Sequence, residues 1–171
     1  MEPIEFDVNP TQRDYFLFNM RHTYTSFHGI ISIIIGIAVI VIAIITRERL
    51  GMQYFLMYLV LAVLFLLYYP VHYWLGGKRL AAMMALNGGL HLSAQDDGIH
   101  VSMNAADGSG MQTEVMTWEM FYLALATKEY IYLYSSRVNA YIVPKTALGD
   151  KLDAFVKLLN EKLPEHRRKL Q

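Results

Sequence analysis

Two long apolar runs dominate the first half of the chain. They cover residues 29–46 and 53–75, and the charged segment Arg47–Gly51 joins them. As a helix that rises about 1.5 Å per residue, each run can cross the roughly 30 Å hydrocarbon core of a bilayer. The pattern therefore predicts a transmembrane hairpin over residues 28–75, with helices at about 28–46 and 53–75.

A soluble core helix and a signal peptide are the two alternatives to a membrane hairpin. The segment GIISIIIGIAVIVIAII carries no charge, and two such runs in 171 residues exceed the apolar surface that a soluble domain of this size can bury. A signal peptide needs a basic start, whereas this chain opens with Glu2, Glu5 and Asp7. Both alternatives fit the pattern less well than the hairpin does.

Aromatic residues cluster where the first helix begins and where the second ends. Amphipathic rings favour the headgroup zone, and the two ends meet at one interface if the helices are antiparallel. The predicted interface residues are Tyr24, Phe27, His28, Tyr68, Tyr69, Tyr73 and Trp74.

The basic residues near the helix ends predict the orientation. Those on the side shared by the termini are Arg13, Arg21, Lys78 and Arg79, whereas the loop holds Arg47 and Arg49. Because cytoplasmic flanks carry an excess of Lys and Arg, we expect both termini in the cytoplasm.

From residue 90 the apolar positions alternate with polar ones. A turn at Asp97-Gly98 would place Ala94 opposite Val101 and Leu92 opposite Met103. A second turn is expected at 104–110, and further strands at 111–118, 121–127, 130–135 and 140–143. Short strands at this spacing predict a small antiparallel sheet that curls.

A helix is expected after Pro144, because apolar residues recur there at three- and four-residue steps. They are Leu148, Leu152, Phe155, Val156, Leu159 and Leu163. This stripe would close the core of the sheet. The predicted division is therefore an N-terminal segment at 1–27, the hairpin, a connector at 76–89 and a domain at 90–171.

The N-terminal segment has a pattern of its own. Ile4, Phe6 and Val8 alternate with acidic residues, which predicts a strand that can join the C-terminal sheet. A helix over 11–27 would lead from this strand into the membrane.

Composition excludes several kinds of chemistry. The 15 basic and 15 acidic residues balance, which argues against a nucleic-acid partner. The absence of cysteine excludes thiol catalysis. Asp96, Asp97 and Asp107 lie in predicted turns, and Gly108-Ser109-Gly110 is too short for a nucleophile elbow. We therefore expect no enzymatic activity, no metal and no cofactor.

One strand offers a candidate partner surface. Tyr130, Tyr132 and Tyr134 fall on the same face at period two, and Pro144 fixes Lys145 at the end of the next strand. The alternative for the tyrosines is a half-buried sheet, which favours the same residue type.

These features together resemble a known family. Trp118, the run Tyr130–Tyr134, the motif Tyr141–Lys145 and a closing amphipathic helix, preceded by two membrane helices, are similar to the bacterial YcxB-like proteins. The resemblance implies a bacterial inner-membrane protein with a cytosolic domain similar to pleckstrin-homology (PH) folds. The expected fold class is membrane α+β: a transmembrane hairpin, then a small curled antiparallel sheet closed by a C-terminal helix.

The expected function is binding or regulation by a membrane-anchored, non-enzymatic protein. Its partners would be the bilayer and either a protein or a lipid headgroup. One alternative is an immunity protein, or another specific antagonist, against a membrane-directed toxin. A second is a membrane enzyme or cofactor-binding protein. The sequence leaves homo-oligomerisation open.

Overall fold

The computed structural model describes residues 2–104 and 111–170, and the chain divides into two compact units. Residues 1–14 and 79–171 form one, here called the sheet unit, and residues 15–78 form the other, the helical unit. The predicted turn after Asn104, including Asp107 and Gly108-Ser109-Gly110, lies outside the described residues.

Three helices carry the chain from the first strand to the second. They are α1 (Gln12–Tyr24), α2 (Phe27–Leu50) and α3 (Met52–Leu86). The prediction of two long apolar helices is confirmed, since α2 and α3 are each long and apolar enough to span a membrane.

Both long helices extend beyond their predicted ends. Helix α2 continues through Arg47, because Arg and Glu are good helix formers, and it breaks only at Gly51, where φ is 88°. Helix α3 continues to Leu86, so most of the predicted connector at 76–89 is helical. Pro70 lies inside α3.

Small residues let α2 and α3 pack closely. Gly36 and Ala43 are buried on α2, and Ala62 of α3 is fully buried, whereas the third buried residue of α2, Gly29, lies against the backbone of Thr23 on α1. A Cβ on Gly36 would lie 2.7 Å from Leu66 Cδ2. The space that Gly36 leaves therefore admits the side chain of the neighbouring helix.

Most of the remaining surface of these two helices is apolar and exposed. Ile34, Ile45 and Leu64 expose 59%, 71% and 62% of their surface within the chain. A core helix of a soluble protein would bury such side chains, because their exposure to water is unfavourable.

Within residues 2–104 and 111–170, the strands form two four-stranded sheets. The first has the order β1-β2-β3-β4: Ile4–Val8, Leu90–Ala94, Gly98–Asn104 and Met111–Thr117. The second has the order β7-β6-β5-β8: Ala140–Pro144, Tyr130–Tyr134, Leu123–Ala126 and Arg168–Lys169. Pairs are antiparallel except β5 with β8. The helices α4 (Lys145–Leu148) and α5 (Leu152–Lys162) follow β7. The predicted antiparallel strands with a C-terminal helix are thus confirmed.

The β2–β3 register differs from the predicted one by two residues. Ala94 pairs with Ile99 and Leu92 with Val101, while Gln95 N–H donates to the Gly98 carbonyl, so the turn is centred on Asp96-Asp97. Gly98 is the first residue of β3 and lies outside the centre of the turn, and its lack of a side chain lets β4 approach closely. A Cβ there would lie 2.2 Å from the Met116 carbonyl oxygen on β4.

Strand β1 pairs with β2 and completes the core of the sheet unit. Ile4, Phe6 and Val8 expose 7%, 5% and 2% of their surface, and the Phe6 ring packs edge-on against Phe155 of α5 at 5.1 Å. Strand β1 and helix α5 therefore belong to one hydrophobic core.

We predict that Phe6→Ala lowers the free energy of unfolding of the sheet unit by about 3–5 kcal/mol, because it removes a buried ring between sheet and helix. Chemical denaturation of the full chain in detergent micelles measures it. The control is Glu5→Ala on the exposed face of the same strand. Equal effects of the two substitutions would contradict the role given to Phe6.

We predict that Gly36→Val destabilises the helical unit by about 1–3 kcal/mol, because the added methyls meet Leu66. Unfolding in mixed detergent micelles reports the change. Ala38→Val is the matched control, since Ala38 is exposed on the same helix. If both variants unfold alike, α2 and α3 do not pack through Gly36.

Candidate functional site

The predicted interface aromatics contact one another within the helical unit. Tyr68 packs edge-on against Tyr69 at 5.3 Å, and Tyr69 stacks on Tyr73 at 6.0 Å. The Tyr73 hydroxyl hydrogen-bonds Thr23 Oγ1 at 2.7 Å. Phe27, Tyr68 and Trp74 expose 74%, 62% and 48% of their surface. Their place at a membrane interface stays a prediction, as it does for Tyr24.

One groove between α2 and α3 is lined by several of the predicted interface residues. It has a volume of about 450 Å³ and is lined by His28, Tyr68 and Tyr69 together with apolar residues. The Ser32 hydroxyl at its wall donates to the Phe65 carbonyl at 3.2 Å. The groove therefore has apolar walls with a few polar side chains among them.

The tyrosines of β6 share one face, as predicted, but they are buried. Tyr130, Tyr132 and Tyr134 expose only 7%, 2% and 7% of their surface, while Ile131 and Leu133 fill the core on the other face. Strand β6 lies between β5 and β7, and both of its faces are covered. The tyrosines are therefore not the exposed partner surface that the sequence suggested.

Tyr130 instead belongs to a buried polar cluster at the start of α1. Thr11 N–H and Oγ1 each donate to Asp14 Oδ2 at 2.8 Å, and Asp14 N–H donates back to Thr11 Oγ1 at 3.3 Å. This is a capping box, in which two side chains satisfy the free donors of a helix start. The Tyr130 hydroxyl donates to Asp14 Oδ1 at 2.6 Å, so β6 is fixed to the helix cap.

Lys145 is held at the end of β7 beside this cluster. Pro144 pairs with Tyr130, and the Lys145 N–H donates to the Glu129 carbonyl at 2.9 Å. A cavity of about 580 Å³ brings Tyr130 and Lys145 together, and it adds Lys128. Its full lining is Asn9, Thr11, Asp14, Lys128, Glu129, Tyr130, Pro144, Lys145, Thr146 and Ala147. We call it the lysine cavity.

The lysine cavity combines a protonated phenol with two lysine ammonium groups. Burial, together with the hydrogen bond to Asp14, raises the pKa of Tyr130 well above its ordinary value, so the phenol keeps its proton and acts as a donor. Asp14 is already occupied by three hydrogen bonds. Within residues 2–104 and 111–170, no ion pair occupies the ammonium groups of Lys128 and Lys145. Those two groups are free to receive an anion.

Sequence reasoning missed Lys128 and the Thr11–Asp14 cap. The pattern Thr-x-x-Asp before a helix is a capping-box signal and would have marked Asp14. Nothing in the sequence pairs Asp14 with Tyr130, because 116 positions separate them. No group of three or more metal-binding side chains occurs in the described part of the chain.

Trp118 also has a structural role. Its indole N–H points at the carbonyls of Gln95 and Asp96, at 3.2 and 3.1 Å, and its ring is 9% exposed. Trp118 thereby fixes the β2–β3 turn. The adjacent Asp96 carboxylate accepts a hydrogen bond from Lys162 of α5 at 2.8 Å, which lowers the pKa of Asp96.

We predict that Tyr130 and Asp14 are energetically coupled. A double-mutant cycle with Tyr130→Phe and Asp14→Asn is expected to give about 1.5–3 kcal/mol in unfolding experiments, because the hydrogen bond has a charged acceptor and is buried. Tyr122→Phe on the exposed surface is the control. A coupling near zero would mean that the contact stabilises nothing.

The same pair predicts a dependence on pH. The folded-state pKa of Tyr130 exceeds the unfolded value of 10.0, so its contribution is present in full below about pH 10 and is lost as the pH rises beyond that value. The wild type should therefore lose more stability above pH 10 than Tyr130→Phe does.

Comparison with known proteins gives one match. No curated protein and no solved structure matches the chain. Residues 95–159 match the family model for YcxB-like protein. The matched stretch runs from the β2–β3 turn into α5 and includes Trp118, the β6 tyrosines and Lys145. The resemblance to YcxB-like proteins is thus confirmed over residues 95–159.

Proposed function

We propose that the chain is a membrane-anchored binding protein of the bacterial inner membrane. In this proposal α2 and α3 cross the bilayer, and the cytosolic sheet unit binds an anionic group at the lysine cavity. The observation that carries the binding proposal is the pair of unpaired ammonium groups, Lys128 and Lys145, at one cavity.

Three observations support the membrane anchor. Helices α2 and α3 are long and apolar enough to span a bilayer, and their apolar side chains are exposed. Strand β1 precedes the hairpin and β2 follows it, yet the two pair, so the chain must cross a membrane an even number of times between them. Four basic residues flank the outer helix ends against two between the helices, which favours a cytoplasmic sheet unit.

The architecture of the sheet unit supports a PH-like fold. Two four-stranded sheets share a core that α5 closes through Phe155, Leu158 and Leu159, all fully buried. A PH-like fold is a binding scaffold, and function must still be argued from the site. Here the site offers two lysine ammonium groups that can bind an anion, and this favours recognition.

The anionic group that fits best is a lipid headgroup. A cytosolic unit tethered to the bilayer meets headgroups at high effective concentration, so weak contacts suffice. Each Lys near an anionic surface contributes about 1 kcal/mol. Glu129 lines the same cavity and reduces this attraction, so we expect weak binding.

We predict that anionic lipid protects Lys128 and Lys145 from chemical labelling. The full chain is reconstituted in nanodiscs of phosphatidylcholine, with or without phosphatidylglycerol, and amine methylation is followed by mass spectrometry. Phosphatidylglycerol should slow methylation of both lysines at least about threefold, because a bound headgroup shields their ammonium groups. Lys157 is the control: its side chain is 78% exposed and faces Glu161.

Equal methylation in both lipids would contradict headgroup binding. Protection that requires an added protein fraction would favour a protein partner. Release of the chain from membranes by an alkaline carbonate wash would contradict the membrane anchor itself, and this outcome is independent of the labelling result.

A further inference from the structure

A second cavity lies within the sheet unit, where the edge strands β4 and β7 separate. Its volume is about 700 Å³. The walls are mainly apolar, with Leu80, Met84, Val101, Met103 and Ile142 among them, and the polar groups include Glu114 and Tyr141. We call it the sandwich cavity. Its size is typical of small-molecule sites, which measure about 300–1,000 Å³.

Glu114 occupies an inward position of its sheet. The β3–β4 register places Glu114 opposite Val101, Val101 is opposite Leu92, and Leu92 is opposite Phe6. Side chains in such a row point to the same face, and the other three are buried core residues. Glu114 itself is exposed on the edge strand, so the sequence places a carboxylate at the open end of this row of hydrocarbon side chains.

Tyr141 approaches this carboxylate from the second sheet. It pairs with Leu133, whose side chain fills the core, so Tyr141 also faces inward. Burial, and then the charge of Glu114, raise the pKa of Tyr141, so its phenol keeps its proton. One carboxylate and one hydroxyl thus face the same apolar cavity.

The charge of the sandwich cavity has one sign. Among the described residues, Glu114 is the charged member of the lining, and neither Lys, Arg nor His lines the cavity with it. In the same part of the chain the Glu114 carboxylate makes no ion pair or side-chain hydrogen bond. An acidic ligand would meet repulsion here, whereas an ammonium group would find a free partner.

We propose that the sandwich cavity binds an amphiphile with an apolar body and a single protonated amine. The apolar walls hold the hydrocarbon part, and the ammonium group contacts Glu114 while the Tyr141 hydroxyl lies nearby. This site shares no lining residue with the lysine cavity, so it does not depend on headgroup binding there.

Glu114 also has a simpler interpretation, because β4 is the last strand of its sheet. Inward-pointing charges on edge strands discourage edge-to-edge pairing of sheets. That role would affect self-association, whereas the proposed role affects amine affinity. The two effects can be measured on the same variant.

The test uses the full chain in nanodiscs with ¹³C-methyl methionine and three matched probes: hexylamine, hexanol and hexanoate. We expect hexylamine to shift the methyl signals of Met84 and Met103 in a saturable way, with hexanol weaker and hexanoate without effect. Met120, exposed on the turn after β4, is the internal control and should not shift.

Glu114→Gln should weaken hexylamine binding about three- to tenfold and leave hexanol binding unchanged, because it removes the charge and keeps the shape. Glu119→Gln, on the turn after β4, should change neither affinity. The proposal is overturned if hexanoate binds as well as hexylamine, or if no probe gives a saturable shift. It is equally overturned if Glu114→Gln self-associates by light scattering while its hexylamine affinity stays the same.

Discussion

Pairing of β1 with β2 is the constraint on which the rest of the structure depends. It joins residues 4–8 to 90–94 across the whole hairpin. Closing a flexible loop of roughly 80 residues would cost about 4 kcal/mol, and a helical hairpin that turns back on itself lowers this cost by bringing its ends together. The pairing supplies Phe6 to the core and leaves β1 as the edge of the first sheet. Without it, α5 would lose its aromatic partner.

The polar and charged groups of the sheet unit lie at a few positions, and one of them makes more than one contact. Asp14 sits where the chain leaves this unit, and it serves both the helix cap and Tyr130. The two cavities differ in their charged groups: Lys128 and Lys145 line one together with Asp14 and Glu129, whereas Glu114 lines the other without a basic residue among the described lining. A chain with zero net charge can thus present two sites with different local electrostatics.

Hydrophobic periodicity predicted much of the fold, because burial repeats along the chain. The length of the apolar runs predicted α2 and α3, and the alternation of apolar and polar residues predicted the strands. The β2–β3 register failed because an Asp-Gly pair was read as a turn, although Gly98 is needed where β4 approaches. The two residues of β8 carry no periodic signal; they pair with β5 after Arg167 N–H has closed a turn onto the Pro164 carbonyl. For the candidate site, the position of Lys145 after Pro144 can be read from the sequence, but the burial of Tyr132 depends on tertiary packing that no local pattern encodes.

Helix α3 has a consequence within the sheet unit. Its last turns belong to that unit, and Leu80 and Met84 on those turns line the sandwich cavity. Successive residues of an α-helix are rotated by about 100°, so side chains four positions apart lie on one face. Deleting one residue between Leu80 and Met84 would therefore turn one of the two side chains away from the cavity.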